Sequence, residues 1–449
     1  MTFLETQTSF RKRLREGYKR RHIAVIDLGS YKISCMIFRI DREGARTALG
    51  GAGGLDAIMR GVSMVGACVT RSAGIRHGRI IDMQKTVLAM RHAIITAEEN
   101  SGDALDRVDY AIIVASGDVR TEWRDRIDLE IETGRVSERD IGKAMRLDDA
   151  AVDALERDAR FVMHGLPTDL AVDGRFGLTD PRGMSGSTLS AMRHVITADA
   201  SAIETIQEAV RQCDVNLCGI LHAGLAAGKA ALVEDEQRLR SLCIDFGADN
   251  TKLVLFEKGS AILVADIGLG GRHVTQDLSI GLGTGFDVAE TIKIHHGSMI
   301  RSNSDEVRQV EIPRRGEEAM NLGRTAPRSA ILDIIRPRVE EIVSRIRDRL
   351  DTDGHDPVSL ESVVITGGGA RMPGLDDHLM GVFGKRPRLG TPLRIGGVPD
   401  ELSGPEYSSA IGAGINSFFP DDEFWDFDKP YLLSGSRPGQ VLHWLVRNL

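Results

Sequence analysis

Two short segments, each an apolar run that ends in Asp-x-Gly, carry the residues of this chain best suited to chemistry. They are Val25–Ser30 and Cys243–Ala248, roughly two hundred residues apart, and a third run, Val363–Thr366, leads into Gly367–Ala370. In isolation each Asp-x-Gly is best explained as an ordinary tight turn. It is the order of the three segments along the chain that points to a binding site. Glycine-tipped turns bring backbone N–H groups close to phosphate oxygens, two aspartates can hold a hydrated Mg²⁺, and a glycine-rich strand-to-helix turn lets an adenosine lie against bare backbone.

Strand-like and helical stretches alternate around these segments, which predicts an α/β architecture. Strands are predicted at Ile23–Asp27, Ile33–Ile40, Tyr110–Ala115, Leu242–Asp245, Lys252–Glu257 and Val363–Thr366, and helices at Met83–Glu99, Ala202–Cys213 and Ile331–Leu350. Each Asp-x-Gly is followed by an antiparallel partner strand, Lys32–Arg39 or Lys252–Glu257. This long-range repeat predicts two similar domains that face each other across a cleft. The arrangement resembles the ATP cleft of the actin, sugar-kinase and heat-shock ATPase superfold.

Composition narrows the class of protein. The chain has 449 residues, 42% of them apolar and 27% charged, as expected for a soluble globular protein of two to four domains. A net charge of −8 and only 5% aromatic residues argue against nucleic-acid binding. The cysteines form no C-x-x-C pair, which predicts a reducing compartment and no cysteine metal site: Cys35, Cys68, Cys213, Cys218 and Cys243. The sequence shows no apolar span of about 18 residues and no secretory signal, so a cytoplasmic protein is expected.

The stretch 106–197 does not continue the repeat and predicts a separate small α/β insert. It combines the strand Tyr110–Ala115, a polar helix Ser137–Leu155 and three turns at His164–Pro167, Asp173–Gly174 and Asp180–Gly186. Here the chain resembles the FtsA family of bacterial cell-division proteins, whose subdomain 1C carries such turns and is lacking from most other actin-like proteins. The resemblance continues through Ala223–Ala226, Glu234–Glu236, Gly270–Leu278 and Ala289–Gly297, and so covers nearly the whole chain from about Arg21.

The resemblance implies an actin-like, ribonuclease H-like, two-domain ATP-cleft fold with an FtsA-type 1C insert and a C-terminal amphipathic helix. The boundaries it predicts are a basic tail at 1–21, subdomain 1A at 22–105 and 198–225, subdomain 1C at 106–197, subdomain 2A at 226–265 and 336–420, subdomain 2B at 266–335, an acidic-aromatic return and tether at 421–437, and a membrane-targeting helix at 438–449.

The resemblance also assigns roles to residues by position. It implies ATP and Mg²⁺ as cofactors, with Asp27 and Asp245 near the metal through water. The phosphate-binding residues it implies are Asp27, Gly29, Ser30, Lys32, Gly247, Ala248, Asp249 and Asn250. The adenosine-binding residues it implies are Glu290, Lys293, Gly367, Gly368, Gly369 and Met372. Taken alone, Glu290 and Lys293 would be explained better as a solvated ion pair on one helix face.

One departure from the family pattern concerns catalysis. Relatives usually read Asp-x-Gly-Gly-Gly-Thr at the second turn, whereas Asp249 and Asn250 stand here after Ala248. A carboxylate beside the γ-phosphate opposes tight ATP binding unless Asp249 turns outward or joins Asp245 at Mg²⁺. The helix before this turn offers His222 and Lys229 but no carboxylate until Glu234, and a lone His there fits a packed helix residue better than a general base. At most weak ATPase activity is therefore expected.

The two ends of the chain carry further patterns. At about 100° per residue, Gln440, His443 and Arg447 share one arc of the terminal segment, while six apolar side chains occupy the other, broad arc: Val441, Leu442, Trp444, Leu445, Val446 and Leu449. Such a helix is too short to span a bilayer and either packs on its own domain or, after the tether Ser434–Gly439, inserts weakly into anionic lipid. The basic run Arg11–Arg21 fits either a solvated tail or an arm on an acidic surface.

The resemblance thus implies an ATP-binding adaptor that polymerises with itself, holds the FtsZ C-terminal peptide near 266–335, anchors FtsZ filaments to the inner face of the cytoplasmic membrane at the division site and recruits later divisome proteins. A sugar or acetate kinase shares the cleft but needs a catalytic carboxylate beside a substrate pocket. A heat-shock chaperone should continue into a peptide-binding domain. An actin-like pilus-assembly adaptor is the nearest alternative, and it would be expected to lack the terminal helix.

Overall fold

The first Asp-x-Gly segment forms the centre of a five-stranded sheet, here called the first sheet. The computed structural model describes residues 13–14, 16–17, 19–41, 61–117, 119–144, 149–178, 180–313 and 324–417. The strands in spatial order are Val62–Arg71, Lys32–Ile40, His22–Leu28, Tyr110–Ala115 and Asn216–His222. The first three are antiparallel neighbours, and the last two join in parallel, which requires crossover connections.

The second Asp-x-Gly segment forms the centre of a second sheet with the same order. Its strands in spatial order are Ser260–Ile267, Thr251–Glu257, Ser241–Phe246, Ser362–Thr366 and Arg388–Leu389. Again three antiparallel strands are followed by two parallel ones. The predicted repeat is therefore confirmed as two sheets of equal topology, and we call the units built on them the first and second lobes.

The two hairpins match residue for residue. Asp27 lies opposite Ser34 in the first, and Asp245 lies opposite Lys252 in the second. Since each turn has the same length, the tips Gly29-Ser30-Tyr31-Lys32 and Gly247-Ala248-Asp249-Asn250 occupy equivalent positions.

The insert is a third unit with a four-stranded sheet of its own. The strands in spatial order are Arg120–Glu130, Thr188–Asp199, Arg160–Val172 and Arg175–Leu178. Two sequence expectations are wrong here. The strand Tyr110–Ala115 pairs with the first sheet and so precedes the insert, and the expected turn at His164–Pro167 lies within the strand Arg160–Val172. The polar helix is replaced by two helices, Glu138–Ala144 and Asp149–Arg157, whereas Asp173 and Gly174 do form a hairpin turn, with φ of 49° and 73°.

Helices cover the sheets and connect the lobes. Among the described residues, those longer than eight residues outside the insert are Met83–Glu99, Ala200–Gln212, Ala223–Ala231, Gly271–Gly281, Phe286–His296, Arg328–Thr352, Leu375–Phe383 and Ser408–Asn416. We call Ala223–Ala231, which follows the last strand of the first sheet, the connecting helix. Within the described part of the chain, no helix is both long and apolar enough to cross a membrane.

The chain returns to the first lobe earlier than expected. Ser408–Asn416, assigned by sequence to the second domain, packs Ala410, Ile411, Ala413 and Ile415 into a core that also holds first-sheet side chains such as Ile23 and Phe38. We call this element the return helix.

At the N-terminal end, residues 13–14, 16–17 and 19–20 are helical, Leu14 packs against the same core, and Arg13 donates to the carbonyl of Leu217 at 3.2 Å. This part of the basic run is therefore docked on the first lobe and is not a solvated tail.

Candidate nucleotide-binding cleft

The first turn places a carboxylate and an ammonium group at the mouth of the first sheet. Asp27 accepts a hydrogen bond from the Ser409 hydroxyl of the return helix at 2.7 Å. Burial raises the pKa of Asp27, although Ser409, Lys252 and Lys32 lower it in part. Burial also lowers the pKa of Lys32 to about 8, and its Nζ lies 3.4 Å from the centroid of the Tyr407 ring. Two of the predicted phosphate ligands thus lie together in a partly dry environment.

The second turn holds its aspartate in an ion pair. Asp245 Oδ2 lies 3.0 Å from Lys252 Nζ, and both side chains are nearly buried. Burial alone would lower the pKa of Lys252, but Asp245, Asp266 and Asp27 outweigh it and raise that pKa. Both turns require glycine at the tip, because a Cβ at Gly29 or Gly247 would lie 2.7 or 2.6 Å from the carbonyl oxygen three residues on. Both positions must therefore stay bare of a side chain.

Asp249 turns inward and bridges the two lobes. Its Oδ2 accepts from the backbone N–H of His77 at 2.7 Å, and its Oδ1 accepts from Nε of Arg272. The same guanidinium donates through Nη2 to the Ser30 carbonyl at 2.7 Å. Burial alone would raise the pKa of Asp249, but the His77 N–H and Arg272 hold it below its ordinary value. The outward orientation considered from sequence is therefore wrong for this side chain.

Glu290 and Lys293 form the ion pair expected from their spacing, but it is not solvated. Lys293 Nζ lies 2.8 Å from Glu290 Oε2, with the two side chains 14% and 16% exposed. The ammonium group also donates to the Gly271 carbonyl at 3.1 Å and to Thr275 Oγ1 at 2.9 Å. The network fixes the helix Phe286–His296 against the N-terminal end of Gly271–Gly281. The first two N–H groups of that helix, of Gly271 and Arg272, donate to the Gly247 and Ala248 carbonyls of the second turn. This places both side chains beside the second turn.

The glycine run after the strand Ser362–Thr366 lies against the second turn. Gly367 has φ of +83°, and a Cβ there would lie 2.2 Å from Asp245 Oδ1. Gly368 begins a short 3₁₀ helix, Gly368–Arg371, and a Cβ on it would meet nothing closer than 3.9 Å. Gly369 meets Phe246, and Met372 packs on the core of the second lobe. One face of this turn is thus tight against Asp245 while the Gly368 side is open.

A buried His–Asp pair lies at the start of the connecting helix. His222 Nε2 lies 2.8 Å from Asp266 Oδ1, and Asp266 Oδ2 accepts from the Gly117 N–H at 2.6 Å. His222 Nδ1 accepts from the Leu225 N–H at 3.3 Å and so caps the helix. Burial alone would raise the pKa of Asp266, but His222, Gly117 and Lys252 hold it below its ordinary value. Since both ring nitrogens are engaged, the sequence interpretation of His222 as a packed residue is consistent with its contacts.

Arg272, Lys252, Ser409 and His77 are cleft residues that sequence reasoning did not identify as functional. The position of Lys252 opposite Asp245 follows from hairpin register and could have been predicted. The other three reach the turns from distant segments, and no local pattern marks them.

The residues present fit a nucleotide better than they fit a directly coordinated metal. Two glycine-tipped turns, the ammonium groups of Lys32 and Lys252 and the open side of Gly368 suit a polyphosphate and a flat base. Within the described residues, no group of three or more His, Cys, Asp or Glu side chains is arranged to hold a metal ion. Asp27 and Asp245 are engaged by Ser409 and Lys252, so a cation here would depend on phosphate and water for most of its ligands.

The predicted membrane-helix residues and the cysteines complete the comparison with the sequence predictions. The membrane-helix residues Val441, Leu442, Trp444, Leu445, Val446 and Leu449 lie outside the described residues. All five cysteines are free, and burial raises the pKa of Cys213 to about 11 and of Cys218 to about 12.

Solved structures support the fold independently of the sequence family. The chain resembles a type IV pilus biogenesis complex of PilM and PilN with a TM-score of 0.57, 15% identity, and coverage of 88% of this chain and 98% of that one. It also resembles MreB5 of Spiroplasma citri bound to ADP, with a TM-score of 0.50, 13% identity, and coverage of 89% and 97%. At such low identity these likenesses establish the fold alone, and they confirm the predicted actin-like class.

Sequence comparisons identify the family. The family model described as Cell division protein FtsA matches residues 242–412, and the SHS2 domain inserted in FtsA matches 123–197. The cell-division protein FtsA of Rhizobium meliloti is 32% identical over 399 residues, which cover 88% of this chain and 87% of that protein. FtsA of Agrobacterium fabrum is 32% identical and covers 95% of each chain, while FtsA of Escherichia coli K12 is 26% identical and covers 88% and 89%. With this agreement over nearly its whole length, and with two matched actin-like lobes around a cleft, the chain belongs to the FtsA family of cell-division proteins.

Proposed function

We propose that this protein binds ATP with Mg²⁺ in the cleft, polymerises, and anchors FtsZ filaments to the inner face of the cytoplasmic membrane at the division site. The observation that carries the nucleotide part is the pair of equivalent glycine-tipped hairpins, with Asp27 and Asp245 at matching positions. Membership of the FtsA family carries the division part. Recruitment of later divisome proteins is part of the same proposal.

In this proposal the phosphates lie between Gly29–Ser30 and Gly247–Ala248, with Lys32 as the cation of the first turn. Glu290 and Lys293 lie on the ribose and adenine side, opposite Gly367–Gly369 and Met372. Bound Mg²⁺ would neutralise phosphate charge, held through water by Asp27 and Asp245. The role of the nucleotide is conformational more than catalytic, because no described carboxylate other than Asp27, Asp245 and Asp249 belongs to the two turns. Closing the cleft would then set the shape that assembles into a polymer.

The peptide partner is assigned to the part of the second lobe at 266–335. That region exposes apolar side chains that offer a peptide something to pack against: Ile280 at 68%, Ile294 at 59%, Ile300 at 52% and Val307 at 76%. Exposed Arg308 lies in the same stretch and suits an acidic peptide. The likeness to a pilus biogenesis complex keeps a pilus adaptor as the alternative, but it supports fold only.

Co-sedimentation with anionic lipid vesicles tests the whole proposal. The full chain and a chain that ends at Ser436 would be mixed with FtsZ and vesicles, with and without Mg-ATP. We expect FtsZ in the pellet only with the full chain, and more of it with Mg-ATP, since several weak anchors in a polymer bind by avidity. FtsZ that stays in the supernatant while the protein binds ATP would remove the division role and keep the cleft.

A further inference from the structure

The carboxylate of Asp249 is held as a bound anion would be. Three donors converge on it: the His77 backbone N–H at 2.7 Å, Nε of Arg272, and the Ser30 hydroxyl. His77 and Ser30 belong to the first lobe and Arg272 to the second. The side chain is 1% exposed, so this charge is compensated almost wholly by protein.

The hairpin backbone does not dictate this inward orientation. Counted over the whole residue, Tyr31 at the equivalent position of the first turn is 51% exposed, whereas Asp249 is 2% exposed. The difference therefore comes from the donors around Asp249 and not from the turn geometry. The relatives' pattern of glycine at this position would leave the same donors without an internal partner.

Arg272 is committed to this carboxylate and to the first turn. Its Nη2 donates to the Ser30 carbonyl at 2.7 Å, and its guanidinium carbon lies 5.4 Å from the centroid of the Phe286 ring. Its side chain is 19% exposed. A cation that could meet a phosphate between the two turns is thus already neutralised by the chain.

We propose that Asp249 occupies the place of the terminal phosphate of a nucleoside triphosphate, so that this cleft binds nucleoside diphosphates more tightly than ATP, which it still takes up when the carboxylate is displaced. The inference rests on the proposed nucleotide site and narrows its ligand. A diphosphate leaves the Asp249–Arg272 pair in place. A triphosphate must displace that carboxylate or lie beside it, where two like charges in a water-poor site repel each other.

Nucleotide affinity in matched variants tests this selection. Dissociation constants for Mg-ADP and Mg-ATP would be measured by calorimetry for the parent protein, Asp249→Gly and Asp249→Asn. We expect the parent to bind ADP more tightly, and Asp249→Gly to improve ATP affinity by at least about tenfold while changing ADP affinity less than about threefold. Asp249→Asn keeps the volume and removes the charge, so its ATP affinity should fall between the two. Asp180→Gly, in an exposed turn of the insert, is the matched control and should change neither constant.

Arg272→Ala identifies the donor that a terminal phosphate would use. Combined with Asp249→Gly it should abolish most of the gain in ATP affinity, because the freed guanidinium is then missing. A gain that survives in the double variant would overturn the assignment of Arg272 and with it the proposal.

A measurement without nucleotide distinguishes failure of this inference from failure of the proposed function. Hydrogen exchange of the His77 amide should be faster in Asp249→Gly than in the parent and unchanged in Asp180→Gly. Equal exchange, or an ATP affinity that Asp249→Gly leaves unchanged, would overturn the inference and leave the proposed function intact. Binding of neither nucleotide by any of these folded variants would overturn the proposed function and the inference together.

Discussion

Lys32 shows how burial can shift the pKa of a proposed phosphate ligand. Its pKa of about 8 follows mainly from burial, with Asp27 and Glu406 raising it only in part. The protonated form is the one that attracts phosphate. Below pH 8 the ammonium group is charged in the free protein, and above pH 8 a proton must be taken up when an anion binds.

We therefore predict that nucleotide affinity falls as the pH rises from 8 to about 9.5, with uptake of up to about one proton on binding. Calorimetry in buffers of different ionisation enthalpy measures both quantities. Lys32→Arg keeps its charge throughout this range and should remove the pH dependence. A parent protein whose affinity stays constant across the range would contradict the role of Lys32.

Gly367 and Gly368 are neighbours, but only Gly368 has room for a side chain. Gly367→Ala should destabilise the fold by more than about 2 kcal/mol, because the left-handed backbone penalises a Cβ and that Cβ would displace Asp245. Gly368→Ala should cost less than about 0.5 kcal/mol, since no atom lies nearer than 3.9 Å to the added Cβ. Urea unfolding of the two variants checks the contrast.

Gly368→Asp then probes the ligand without disturbing the fold. It should weaken ATP binding while unfolding at the same urea concentration as Gly368→Ala. An unchanged ATP affinity would mean that the adenosine side of the cleft lies elsewhere.

At the scale of elements, the return helix is held by close backbone packing against the connecting helix. A Cβ at Gly412 would lie 1.8 Å from the Ala226 carbonyl and 3.2 Å from the Ala230 Cβ. The same helix supplies Ser409 to Asp27. Spacing between these two helices therefore affects both stability and the first turn.

Gly412→Ala should lower the free energy of unfolding by about 1–3 kcal/mol, because the two helices must move apart. Gly381→Ala, in the helix Leu375–Phe383 with nothing within 4 Å of the added Cβ, should raise it by about 0.5–1 kcal/mol. Urea unfolding of the two variants measures these opposite shifts. A neutral Gly412→Ala would show that the helices separate without cost.

Local pattern predicted the elements well wherever one segment determines its own structure. The helix Met83–Glu99 was predicted to the residue, and the two hairpins formed with the expected partners. The errors involve long-range choices: which sheet takes Tyr110–Ala115, and which lobe takes Ser408–Asn416. Both depend on packing partners far away in sequence. For the same reason the positions of Asp27, Asp245 and the glycines at the turns could be predicted, whereas the contacts of Ser409, His77 and Arg272 with those turns could not.

At the scale of the whole molecule, the proposed membrane anchor at 438–449 links the two lobes to anionic lipid, and a single copy is expected to bind that lipid weakly. Trp444→Glu should release the protein from anionic vesicles, because a charge replaces the largest apolar side chain of the predicted arc. Nucleotide affinity should not change. Vesicle flotation and calorimetry measure the two properties on one preparation. His443→Glu, on the predicted polar arc, is the matched control and should retain most vesicle binding.

The equivalence of the two hairpins gives the cleft an approximate twofold symmetry, and its side chains break that symmetry. Lys32 stands where the other half has Asn250, and Lys252 stands where the first half has Ser34. The two ammonium groups consequently enter at different depths, one at a turn tip and one two residues further along its strand. A ligand with unlike ends then has one preferred direction in the cleft, although the backbone alone would accept either.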